Sequence, residues 1–140
     1  MGKIPPKRVD ASDCVINVGR RVKDGVVIAA GTAYEVHKGE WVDVLPLITT
    51  RQFLSLQKLI GKLNEPDPER ISKGLDELCE DIASKLLDWN WTDLDGNSLP
   101  KPYKHPEVIK ALYDDEIMWL LAAIQGETPG QRKNELKPSE

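Results

Sequence analysis

The chain has 140 residues, 40% of them hydrophobic and 30% charged, which suffices for one hydrophobic core but not for two ordinary domains. A net charge of -4 leaves no overall positive field to draw it to nucleic acid or anionic lipid. Cys14 and Cys79 stand far apart without Cys-x-x-Cys or Cys/His spacing, so the composition excludes a disulfide framework and a zinc-ribbon type of site. The first eight residues lack the apolar stretch of a signal peptide, and no segment approaches the roughly 18 consecutive apolar residues of a membrane helix. The expectation is an intracellular chain with free thiols, and neither nucleic acid nor membrane as partner.

Residues 14–47 read mainly as strand. Val15-Ile16-Asn17-Val18, Val26-Val27-Ile28-Ala29, Ala33-Tyr34-Glu35-Val36 and Glu40 to Leu45 are β-branched and aromatic runs separated by the turn pairs Asp24-Gly25 and Lys38-Gly39. Along the last run Trp41 faces one way and Val42 with Val44 the other, because side chains alternate across a strand. These runs predict a small antiparallel sheet that Pro46 brings to an end.

Thr49 followed by Gln52 has the spacing of a capping box, and Phe53, Leu56, Leu59, Ile60 and Leu63 then recur at three- and four-residue steps on one helical face. The run Asn64-Glu65-Pro66 breaks that helix, and Asp67-Pro68 starts another. The apolar positions Ile71, Leu75, Leu78, Ile82, Leu86 and Trp89 carry this second helix to residue 88. Asp93-Leu94-Asp95-Gly96 reads as a turn rather than a calcium loop, since the twelfth position of the calcium pattern is Lys104 where a glutamate is needed. Pro106 to Leu112 forms a short helical turn. Asp114 or Asp115 then caps a last helix, 116–125, which stops at Gly126.

The fold class expected is α+β: a small N-terminal antiparallel sheet followed by three or four helices. Residues 1–126 form a single domain, 14–47 mainly strand and 49–125 mainly helical, with 127–140 a disordered polar tail.

No arrangement carries chemistry. His37 and His105 lie in a turn and before a proline, where surface or capping roles are expected, and no serine or cysteine sits in a nucleophile motif. Asp114-Asp115-Glu116 are acidic residues in the first turn of a helix, which the helix dipole favours by itself. The glycines form no phosphate-binding pattern. Catalytic residues, metal ligands and cofactors are therefore read as none. The four tryptophans stand out in a chain with one phenylalanine. Trp41 and Trp89 are expected to hold the fold. Trp91 is assigned to partner contact, on the expectation that it and Trp89 are hard to bury together.

The string Gly39-Glu40-Trp41-Val42, then Leu45-Pro46-Leu47 leading into a helix, then Trp89-Asn90-Trp91-Thr92-Asp93 with Asp95-Gly96 and Leu99-Pro100, then Pro106-Glu107-Val108 and a closing leucine-rich helix, resembles the tail assembly chaperones of long-tailed phages. The similarity spans roughly residues 13–125. It implies a protein of the host cytoplasm that coats and solubilises the helical tape measure protein during tail assembly and is absent from the mature particle. The tail tube protein and a second copy of the chain are further candidate partners. A small virion component, a head-tail connector or minor tail protein, is the competing expectation. The resemblance brings no catalytic residues with it. Partner contact is assigned to Phe53, Leu56, Ile60 and Trp91, and motif or structural roles to Trp41, Trp89, Asp93, Asp95, Gly96 and Trp119.

Overall fold

A computed structural model describes residues 5–45, 49–64 and 67–126. Pro46, the Glu65-Pro66 break and the tail from residue 127 lie outside the described residues. The fold is α+β, with N-terminal antiparallel sheets followed by four helices.

Six short strands come first: β1 (Lys7–Asp10), β2 (Val15–Val18), β3 (Arg21–Lys23), β4 (Val26–Ala29), β5 (Thr32–Glu35) and β6 (Trp41–Val44). A seventh, β7 (Leu86–Trp89), follows the second helix. They form one three-stranded sheet, β1-β6-β7, and two two-stranded ladders, β2-β5 and β3-β4, all antiparallel.

Besides β7, expected as the end of a helix, two of these strands were not expected. β1 carries one buried residue, Val9, in an otherwise polar run, so its pairing to β6 rather than its pattern makes it a strand. β3, reading Arg-Val-Lys, is the partner that the Asp24-Gly25 turn demands for β4. Both turn residues have positive φ, 52° and 78°, as expected for the primed turn that suits a two-residue hairpin.

The helices are α1 (Thr50–Gly61), α2 (Pro68–Lys85), α3 (Pro106–Lys110) and α4 (Asp114–Ile124), with a 3-10 turn at Lys62–Asn64. The capping box is present: the Gln52 amide donates to Thr49 Oγ1, and the Thr49 amide donates to Gln52 Oε1, each at 3.1 Å. Asp67 caps α2, and Pro68 takes its first position. None of these helices is long and apolar enough to cross a membrane.

Two expected boundaries move. α2 stops at Lys85, not 88, because Leu86 turns to extended backbone (φ -103°, ψ 107°) and β7 pairs with β6, Val42 opposite Trp89 and Val44 opposite Leu86. The helical spacing of Leu86 and Trp89 was real, but both positions reach the core equally well from a strand, and the open edge of β6 supplies the backbone hydrogen bonds. α4 starts earlier than expected, so Asp114 and Asp115 occupy its first turn instead of capping it.

The core gathers Val9, Val42 and Val44 from the sheet, Leu78, Ile82 and Ala83 from α2, Leu56 from α1, Ile109 from α3 and Leu120 and Ile124 from α4. Alternation in β6 holds: Val42 and Val44 are buried while Trp41 and Asp43 lie on the outer face. There Arg8 covers Trp41, its guanidinium carbon 3.6 Å from the ring centre, and grips the Asp43 carboxylate through two nitrogens at 2.8 and 3.1 Å.

Candidate functional site

The tryptophans and the polar residues around them make one cluster beneath the loop that follows β7. Trp89 and Trp91 are both fully buried and stack on each other, ring centres 4.8 Å apart and planes within 5°. The assignment of Trp91 to partner contact is thereby corrected. In extended chain, residues two apart point to the same face, so Trp89 and Trp91 enter the core side by side. Trp119 of α4 leans against Trp91 at 5.8 Å, and its indole N–H donates to Asp13 Oδ1 at 2.9 Å.

His37, expected at the surface, is also fully buried. Its ring stacks on Trp91 with centres 3.7 Å apart. Nδ1 lies 2.7 Å from Glu40 Oε1, and Nε2 contacts Glu116 Oε2 of α4. A neutral imidazole donates through one nitrogen and an ionised carboxylate only accepts, so the two contacts together require one extra proton, on the ring or on a carboxyl. Glu40 also accepts the Thr92 amide at 3.0 Å and the Thr92 hydroxyl at 2.7 Å. Glu116 reaches back to accept the Tyr113 amide at 2.9 Å.

Four segments distant in sequence are thus tied through polar groups that would each be costly to bury alone. The indole nitrogen of Trp91 alone has no partner among the described residues.

Apart from that nitrogen the polar groups of the cluster satisfy one another, so the geometry makes it a structural joint. The two carboxylates approach opposite sides of the imidazole and do not converge on a point, and no group of three or more His, Cys, Asp or Glu among the described residues is arranged to hold a metal ion. Cys14 and Cys79 are buried, and burial pushes both thiols up, Cys14 further under the added influence of Glu116, Asp13 and Asp115. Neither has the lowered pKa of a nucleophile.

Asp93 behaves as its turn position predicts. Its Oδ1 accepts the amides of Asp95 and Asn97, each at 2.9 Å, while Gly96 takes positive φ and the Asp95 side chain stays exposed.

Of the residues assigned to partner contact on the first helix, Leu56 is buried in the core and Ile60 packs half-buried against it. Leu56 is corrected from a docking residue to a packing residue, because α1 packs that side against α2, whereas Ile60 keeps part of its surface open. Phe53 remains outside, 43% exposed, and beside it Leu54, 58% exposed, was not singled out because it lies off the stripe.

A larger apolar surface was missed. Residues 18–34 form an arm in which β3, β4 and β5 are exposed almost throughout, with Val18, Val22, Val26, Val27, Ile28 and Tyr34 all more than half exposed. The pattern alone suggested a sheet with a covered face. The arm bends where Gly19 and Gly31 both have positive φ. At Gly31 a Cβ would stand 2.6 Å from the Arg20 nitrogen and 2.7 Å from the Val18 oxygen, so glycine is required there.

The arm's base is anchored by Asp115, whose carboxylate accepts the Asn17 amide at 2.8 Å and faces Arg20 at 3.4 Å. Beside that anchor a cleft of about 530 Å³ opens, lined by the apolar Ile16, Val18, Leu94 and Tyr113 and by the charged Arg20, Asp114 and Asp115. Two surfaces are therefore available to partners, the outer side of α1 and the arm with its basal cleft. Compared with families of known proteins, with curated proteins and with solved structures, the chain matches none.

Proposed function

We propose that this protein is a tail assembly chaperone of a long-tailed phage, a non-enzymatic binding protein of the host cytoplasm that keeps the tape measure protein soluble until the tail tube forms around it. The reading rests on the resemblance set out above. One structural observation supports it: apolar side chains left outside the core on α1, Phe53 and Leu54. A binder of a long helix needs an apolar face and affinity low enough to let go, and exposed apolar surface of this kind marks contact sites. Phe53 and Leu54 are the client face in this reading. The residues that give the sequence its family likeness, Trp41, Trp89, Trp91, Trp119 and Glu40, build the fold that displays it.

Co-expression with the tape measure protein of the same phage tests the proposal. A soluble complex holding many copies of this chain is expected, and replacing Phe53 and Leu54 with serine should reduce the copies recovered while leaving the melting temperature of the free protein nearly unchanged. Failure to associate, with the protein instead found in mature particles, would overturn the reading in favour of a virion component.

A further inference from the structure

We propose that the arm tip of one copy seats in the cleft at the arm base of a second copy, so that copies associate head to tail. This stands apart from the chaperone reading, since it concerns the free protein and uses a different surface.

The tip and the cleft are complementary in charge. At the tip Arg21 and Lys23 against Asp24 leave one net positive charge, and in the cleft Asp114 and Asp115 against Arg20 leave one net negative charge. Arg20 is already engaged by Asp115 at the base, but Arg21 and Lys23 have no ion-pair partner among the described residues. In the cleft, Asp114 likewise has none. Apolar surfaces match as well: Val22 and Val26 flank the tip, and Leu94, Tyr113 and Val18 line the cleft, each more than half exposed in the single chain.

The tip of the same chain does not fill the cleft: Arg21, Val22 and Lys23 are not among its lining residues. A two-stranded ribbon is also marginal by itself in water, so an arm of this kind gains from being seated against another surface.

Tip and cleft are different patches, so the contact is heterologous and one copy can both give and receive; such contacts run on as open chains or close into rings. The small patch makes each contact weak, and association should depend on concentration and fall with salt.

Sedimentation of the full chain with Lys23→Glu and Asp114→Lys variants tests this. For the unaltered protein the average mass should rise above that of one chain with concentration at low salt, and fall back at high salt. Each variant alone should remain a single chain, with a melting temperature unchanged for Lys23→Glu and lowered only slightly for Asp114→Lys, which loses a favourable charge at the start of α4. Mixed, they should associate again, because the intact tip of the Asp114→Lys protein meets the intact cleft of the Lys23→Glu protein, and the two reversed charges also face each other as opposites. An unaltered protein that stays a single chain at every concentration overturns the proposal, and so does either variant associating as the unaltered one does. A mixture that fails to associate overturns it too.

Discussion

The body and the arm use the same kind of residue to opposite ends. In β6 the valines at 42 and 44 are closed off by β1, β7 and the helices, whereas in β3 and β4 the valines at 22, 26 and 27 face water. The difference is layering: the three-stranded sheet has helices to cover it, and the arm has no second layer. Packing therefore holds the body, while turn geometry holds the arm, through Asp24-Gly25 at the tip and the glycine bend at its root. Substitutions in the two regions should behave differently.

The largest effect is expected from Trp91→Ala. It removes a buried ring that touches His37, Trp89 and Trp119, and such truncations cost about 3–5 kcal/mol. Urea unfolding should show a loss of that size through the whole body, and a loss under 1 kcal/mol would mean that the three-ring packing is not what holds the joint.

His37→Ala comes next, because it strands Glu116 and Glu40 with acceptors facing an empty space. Leaving buried carboxyl groups without their partner costs on the order of 3 kcal/mol. If the joint is read correctly, the double variant His37→Ala, Glu116→Gln recovers part of the loss; additive losses would show that the two residues act independently.

Gly31→Ala should separate the regions. The positive φ and the 2.6 Å approach to the Arg20 nitrogen force the arm to rearrange. Hydrogen exchange should rise across residues 20–30 with the melting temperature of the body nearly unchanged. Equal loss of protection in α2 would show that arm and body fold as one unit.

The smallest effect concerns acid. Lys101 holds the Asp88 carboxyl below its ordinary value, with the Trp89 amide and Arg8 helping. A carboxyl lowered in the folded state contributes stability above its unfolded value, near pH 4, and loses it as pH falls through the lower folded value. Because this pair is largely exposed, Asp88→Asn should flatten the acid limb of the stability profile only slightly.

Much of the body was legible because local chemistry and tertiary demand agree there. Thr49 with Gln52 and Asp67 with Pro68 mark helix starts that depend on neighbours a few residues away. Asp93 to Gly96 makes its turn from its own side chain and glycine. The stripe on α2 was legible for the same reason, since one helical face answers to one core.

Legibility failed where distant chain decides. The run Leu86 to Trp89 continues the helical pattern, yet the open edge of β6 makes it a strand. His37 looks like a turn histidine in sequence, and only the approach of Glu116 from 79 residues away makes burial tolerable. Trp91 was assigned outward although its two-residue spacing from Trp89 already pointed both inward.

By itself, then, the sequence determined the class of fold, the starts of the first two helices, the turns at Asp24-Gly25 and Asp93 to Gly96 and the alternation along β6, all of which follow from side-chain periodicity and short-range hydrogen bonding. Only the tertiary structure decided which apolar residues stay outside. Whether a valine is core or surface depends on whether another layer arrives to cover it, and nothing within a strand's own residues records that arrival.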